Sequence, residues 1–135
     1  MSHTTVLGIP KEGGELVVLG RFSNAHRGVM WVWYELSKKY LGLRDDERYR
    51  LIMDPTILQQ LAELAEDERL TDAEHYALET SWDNVLVGPG LMLTVADALE
   101  NFKPGTENLK GQAEVIRKAH ADGCKAICWH QTSVS

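Results

Sequence analysis

The sequence predicts an α+β fold: a small, mostly antiparallel sheet, built from an N-terminal hairpin and a C-terminal strand and packed by about four to five helices, in one domain over residues 1–135. Three observations predict it. β-forming runs cluster at the two ends of the chain, in TTVLGI, ELVVLGRF and CKAICWHQTSV. The middle carries apolar stripes of helical period, separated by caps and Gly/Pro breaks. Residues 23–42, SNAHRGVMWVWYELSKKYLG, are too apolar around their girth to lie on a surface, so other elements must cover them on several sides.

Residues 5–9 read as a first strand, PKEGG as a turn, and residues 15–22 as a second strand. Gly20 inside that second strand predicts a bulge or a close backbone approach. Ser23 or Asn24 is the natural N-cap of the helix that follows, and Gly42 its stop. One apolar face is expected to be Val29, Val32, Trp33, Leu36 and Tyr40, with Met30, Tyr34 and Leu41 as a second stripe beside it. Residues 43–53 predict a short helix or an irregular turn. Asp54-Pro55 begins a helix with Ile57, Leu58, Leu61, Leu64 and Ala65 inward. Thr71 and Glu74 fit a capping box, and Tyr76, Ala77, Thr80, Trp82 and Val85 extend that helix towards Gly88-Pro89-Gly90. A helix over residues 91–102 follows, with Leu91, Leu93, Val95, Ala98, Leu99 and Phe102 apolar. Another runs from Thr106 or Glu107 to Ala121, with Leu109, Ala113, Ile116 and Ala119 at core spacing. Residues 124–134 read as the last strand, best placed beside the hairpin.

An apolar fraction of 44% and a charged fraction of 25% are those of an ordinary folded domain. No run is long enough for a bilayer span and the N-terminus has no signal-peptide pattern, so the expectation is a cytoplasmic protein that does not contact membranes. Two cysteines, Cys124 and Cys128, do not make a disulfide scaffold. The net charge of −6 is uneven: residues 54–100 hold eleven acidic residues and one basic residue, and the rest of the chain carries +4. An acidic middle argues against direct nucleic-acid binding and suits a protein partner with a basic surface. Glu63, Glu66, Asp67, Glu68 and Glu74 are the residues expected to meet it.

Three groups of residues beside the acidic segment bear on chemistry. His3-Thr4-Thr5 and His130-Gln131-Thr132 are two H-x-T triplets, each on an expected strand, where i and i+2 share a face. A His and a Thr from each of two neighbouring strands can clamp a phosphate, with one His as base and the other as acid. The pair resembles the H-x-T/S signature of the 2H phosphoesterases over those six positions, which implies action on cyclic phosphodiesters or RNA ends by His3, Thr5, His130 and Thr132. Arg21, Asn24, His26 and Arg27, at the entry to the first helix, form a candidate anion site. His120, Cys124, Cys128 and His130 have zinc-ligand chemistry. Two cysteines four apart on a strand lie about 13 Å apart, too far for one metal, so no metal site is expected. The glycines make neither a dinucleotide nor a phosphate-loop pattern, and no cofactor is expected.

With no nucleophile motif, zinc framework or phosphate loop, the leading expectation is a small acidic binding or inhibitor protein, more a binder than an enzyme. In size and charge it is like the accessory, anti-defence factors of phages and mobile elements. A 2H-like phosphodiesterase is the alternative, and a structural homo-oligomer a third reading.

Overall fold

A computed structural model describes residues 2–24, 28–82 and 85–133, and for Ser2, Thr132 and Ser133 the backbone alone. The element order is β1 (Ser2–Ile9), β2 (Val17–Ser23), α1 (Val29–Tyr40), a 3-10 turn (Asp45–Glu47), α2 (Arg50–Met53), α3 (Pro55–Leu64), α4 (Asp72–Glu79), β3 (Leu86–Val87), α5 (Pro89–Asn101), α6 (Glu107–Ala121) and β4 (Ala126–Ser133). The strands form one antiparallel sheet in the order β2-β1-β4-β3. The fold class is the expected one: a small antiparallel sheet packed against helices, with the C-terminal strand paired to β1 of the hairpin.

The sheet has one buried face. Thr4, Val6 and Gly8 of β1 and Ile127 and Trp129 of β4 point into the helical layer and are all buried. α6 crosses β1 and β2 on this side. The approach is close because Gly20 and Gly111 leave a notch for the Phe22 ring. A Cβ on Gly20 would lie 2.9 Å from Val115 Cγ2, and one on Gly111 would lie 2.8 Å from Phe22 Cε1. The register slips between Val6 and Leu7, which pair with Gly20 and Val18 and leave Leu19 as the extra residue. Gly20 thus sits at both a bulge and a close approach.

The helix signals hold where caps are strong. The Asp54 side chain accepts from Thr56 N at 2.9 Å and Pro55 opens α3. Thr71 and Glu74 form the capping box of α4. Thr106 caps α6, which buries Leu109, Ala113, Ile116 and Ala119.

Four expectations are corrected. First, α1 starts at Val29 with Gly28, not Ser23 or Asn24, at the N-cap position. The Asn24 carboxamide lies against Thr4 and Asn108, and its Oδ1 also accepts from Val29 N at 3.4 Å. Second, α1 buries Val32, Tyr34, Leu36 and Ser37, while Trp33 is half-buried, its ring on Trp82 at 4.7 Å and its indole N–H donating to Ser81 Oγ at 2.8 Å. Third, α4 ends at Glu79, and Leu86–Val87 forms a short edge strand on β4 where the sequence reads as a helix end. Fourth, α5 begins at Pro89 and its inward stripe is Met92, Val95, Ala96 and Leu99, leaving Leu91 and Leu93 exposed. A 92-95-96-99 spacing is the helical one; counting alternate Leu residues picks the wrong side.

Candidate functional site on the open face of the sheet

The second face of the sheet carries the polar residues that the sequence singled out. Pairing fixes which residues share it. His3 stands opposite Thr132 on β4 and Ser23 on β2; Thr5 stands opposite His130 on β4 and Arg21 on β2. Two rows therefore cross three strands: Ser23–His3–Thr132, then Arg21–Thr5–His130. The two H-x-T triplets, 127 residues apart in the chain as measured at their middle residues, lie side by side and in register. His3 and His130 occupy diagonal positions, about 7–8 Å apart in an antiparallel pair. His3 is an interior residue of the ladder rather than a loose end, because β1 runs from Ser2.

The middle residues of the triplets hold the two strands together from below. Thr4 and Gln131 are directly opposite on the buried face. The Thr4 hydroxyl is 2.7 Å from Gln131 Oε1 and 3.0 Å from Asn24 Oδ1. Gln131 Nε2 donates to the Thr80 carbonyl at 3.2 Å. Asn108 Nδ2 donates to the Ser23 carbonyl at 2.8 Å, Gln112 Nε2 to Asn108 Oδ1 at 2.7 Å, and the Trp129 indole N–H to Gln112 Oε1 at 2.9 Å. Buried polar groups with partners on every side fix a unique arrangement. Here they fix the strands that carry His3, Thr5 and His130, the support a functional constellation needs.

Below the two polar rows comes an apolar one. Val18, Leu7, Cys128 and Leu86 stand in register across all four strands. Val18 and Leu86 are 64% and 68% exposed, which marks this face as open. Burial pushes the Cys128 thiol up, so at neutral pH it is a neutral member of that row.

On the polar rows Thr5 is buried, His3 half-buried, and Arg21 and His130 exposed. Arg21 supplies a permanent cation beside Thr5. Two imidazoles, a hydroxyl and a guanidinium on one face can bind a tetrahedral anion and exchange protons with it.

The other candidates scatter. Arg21 and Asn24 part company, Arg21 on the open face and Asn24 in the network beneath it; His26 and Arg27 lie outside the described residues. Of the acidic group, Glu63, Glu66 and Glu68 are exposed. Asp67 holds Arg69, with Oδ2 2.7 Å from Nη2, and that guanidinium keeps the Asp67 carboxyl below its ordinary range. Glu74 is buried and turned inward, accepting from Tyr40 Oη at 2.7 Å, Lys39 Nζ at 2.9 Å and Thr71 N at 2.9 Å. It belongs to the fold rather than to a surface. Cys124 is buried before the start of β4, His120 is exposed near the end of α6, and only Cys128 and His130 share the strand.

Sequence reading allows Arg21 to come near His130 and Thr132 if the last strand pairs with the hairpin; what it does not give is the row Arg21–Thr5–His130. The Leu19 bulge shifts the register by one residue, and only the register decides which side chains become neighbours. No protein-family model, curated protein or solved structure matches the chain. Among the described residues no helix is long and apolar enough to cross a membrane.

Proposed function

We propose that the open face of the sheet is a phosphate-handling site and that the protein acts as a 2H-like phosphodiesterase on cyclic phosphodiesters. One observation carries this reading: the two H-x-T triplets stand in register on adjacent strands, His3 opposite Thr132 and Thr5 opposite His130. A lone triplet has little meaning; two that pair across one ladder supply the two imidazoles and two hydroxyl-bearing residues that the chemistry needs. In that chemistry one imidazole takes a proton from water as the water oxygen bonds to phosphorus. The other donates a proton to the ring oxygen as its P–O bond breaks. The product is a phosphomonoester, and both imidazoles end with their protonation exchanged. Thr5 and Arg21 hold the non-bridging oxygens, and the guanidinium offsets their charge.

The test is a titration of the histidine ring resonances with a 2′,3′-cyclic nucleoside phosphate. His3 and His130 should shift together and saturably, while His75 and His120 stay still. Shifts spread over all the histidines, or none, would remove the reading.

A second reading rests on a separate observation. Glu66 and Glu68 are exposed and have no side-chain partner among the described residues, and Glu63 lies one turn before Glu66. This cluster supports a surface that docks a basic protein, in the manner of a small inhibitor. Reversing Glu63, Glu66 and Glu68 to Lys takes the net charge from −6 to 0. On the docking reading, association with a basic partner then slows sharply at low salt and less at physiological salt. Equal rates at both salt concentrations would make the cluster a solvated exterior.

A further inference from the structure

We propose that a trough between the start of α4 and the end of α5 binds short peptides with free termini, two or three residues long. This site lies apart from the sheet face and does not depend on its function. Two adjoining hollows of about 350 and 270 Å³ share Ala73 and Asn101 as their common wall. Together they fall in the range of small-ligand sites, about 300–1,000 Å³. The first hollow also holds Lys39, Thr71, Glu74 and Lys103, and the second Asp72, Thr94, Asp97 and Ala98.

Sorting these side chains by what they already bind shows what is left for a ligand. Lys39 is spent on Glu74 at 2.9 Å, and Thr71 on the capping box. Asp97 receives Arg117 at 2.8 Å. Four polar side chains have no hydrogen-bond or ion-pair partner among the described residues: Lys103 in the first hollow, Asp72 and Thr94 in the second, and Asn101 between them. The trough thus offers one uncommitted cation and one uncommitted anion, in different hollows, with a carboxamide in the middle.

A peptide with free ends matches that order. Its carboxylate meets Lys103, its ammonium meets Asp72, and the Asn101 side chain, which both donates and accepts, pairs with the amide between. Ala73 and Ala98 keep the floor low enough for a backbone to lie on it. An ion of one sign would satisfy one hollow and leave the other charge unpaired. A zwitterion therefore gains a second ion pair that a simple anion or a polyamine does not.

The experiment uses the intact chain and three probes: Ala-Ala-Ala, the same peptide acetylated at its N-terminus, and the same peptide amidated at its C-terminus. Binding is read by backbone amide shifts. Ala-Ala-Ala should give saturable shifts confined to Ala73, Thr94, Asn101 and Lys103. Each blocked end should weaken binding by about threefold to fivefold, the worth of an exposed ion pair. Lys103→Glu and Asp72→Lys should each weaken it similarly, and the double variant should recover it by accepting the peptide in the opposite direction. Asn101→Leu removes the central pairing without touching either charge and serves as the variant whose folding is least in question, with melting curves for all four. Equal shifts from free and blocked peptides, or no saturable shift, would overturn the proposal.

Discussion

Asn24 and Gly28 form a lock. The Asn24 Oδ1 accepts from Val29 N at 3.4 Å while lying beside Thr4 and Asn108, and a Cβ on Gly28 would overlap the Asn24 carboxamide. Gly28→Ala should therefore cost about 1–3 kcal/mol through overpacking. The double variant Gly28→Ala with Asn24→Ala should recover part of that loss in a chemical denaturation series. Equal loss in both would place the cause elsewhere. Glu74 shows a different residue effect. Burial pushes its carboxyl up, but the Thr71 N–H, the Tyr40 hydroxyl and the Lys39 ammonium outweigh burial and hold it below the ordinary glutamate value of 4.5. A value lowered in the folded state gives stability that is complete above 4.5 and is lost as the pH falls through the folded value. Glu74→Gln should then cost about 1–2 kcal/mol at pH 7, with the gap to wild type closing in acid. Melting temperatures across pH read this directly, and a constant gap would contradict it. Neither effect was legible in the sequence beyond the capping box. Thr71 and Glu74 announced a helix start, but not that Glu74 would turn inward to α1.

At the scale of elements, α6 and β2 meet through glycine. Replacing a helix-interior glycine by alanine ordinarily gains about 0.8–1 kcal/mol. At Gly111 the new methyl would instead meet the Phe22 ring, whose other edge a Cβ on Gly20 would approach to 3.1 Å. Gly111→Ala should lose about 1–2 kcal/mol in urea denaturation. In a Phe22→Leu background the same change should cost less, and an unchanged cost would show that the ring is free to move. Elements with chemical punctuation were readable in advance: Asp54-Pro55, Thr71 with Glu74, and Thr106 each start a helix where expected. Three features were not. Leu86–Val87 is too short to show alternation and becomes a strand only because β4 is beside it. The face of α5 was misjudged because Leu91 and Leu93 outrank Met92 and Ala96 in hydrophobicity while facing solvent. Trp33 was expected in the core from its period, yet it sits at the margin, where Trp82 and Ser81 complete its surroundings.

Across the whole molecule, the sheet separates two tasks. Its buried face is tied by Thr4, Gln131, Asn108, Gln112 and Trp129; its open face presents His3, Thr5, Arg21 and His130. The sequence held both halves of that site, one near each end of the chain. What it could not hold was their adjacency, because strand register is set by tertiary pairing and by the bulge at Leu19. The acidic segment was the reverse case. Its charge was plain in the composition, but the segment divides into exposed Glu63, Glu66 and Glu68 and inward Glu74 only once α4 packs beside α1. On the proposed function, the paired triplets open cyclic phosphodiesters. The most direct test is ³¹P NMR of a panel of 2′,3′-cyclic nucleoside phosphates and cyclic dinucleotides, incubated with wild type, His3→Ala and His130→Ala. Wild type should convert at least one cyclic resonance to a monoester, with each variant slower by about 10²–10⁴-fold, the range for loss of a general acid or base. No conversion above a buffer control across the panel, or equal conversion by all three proteins, would contradict it.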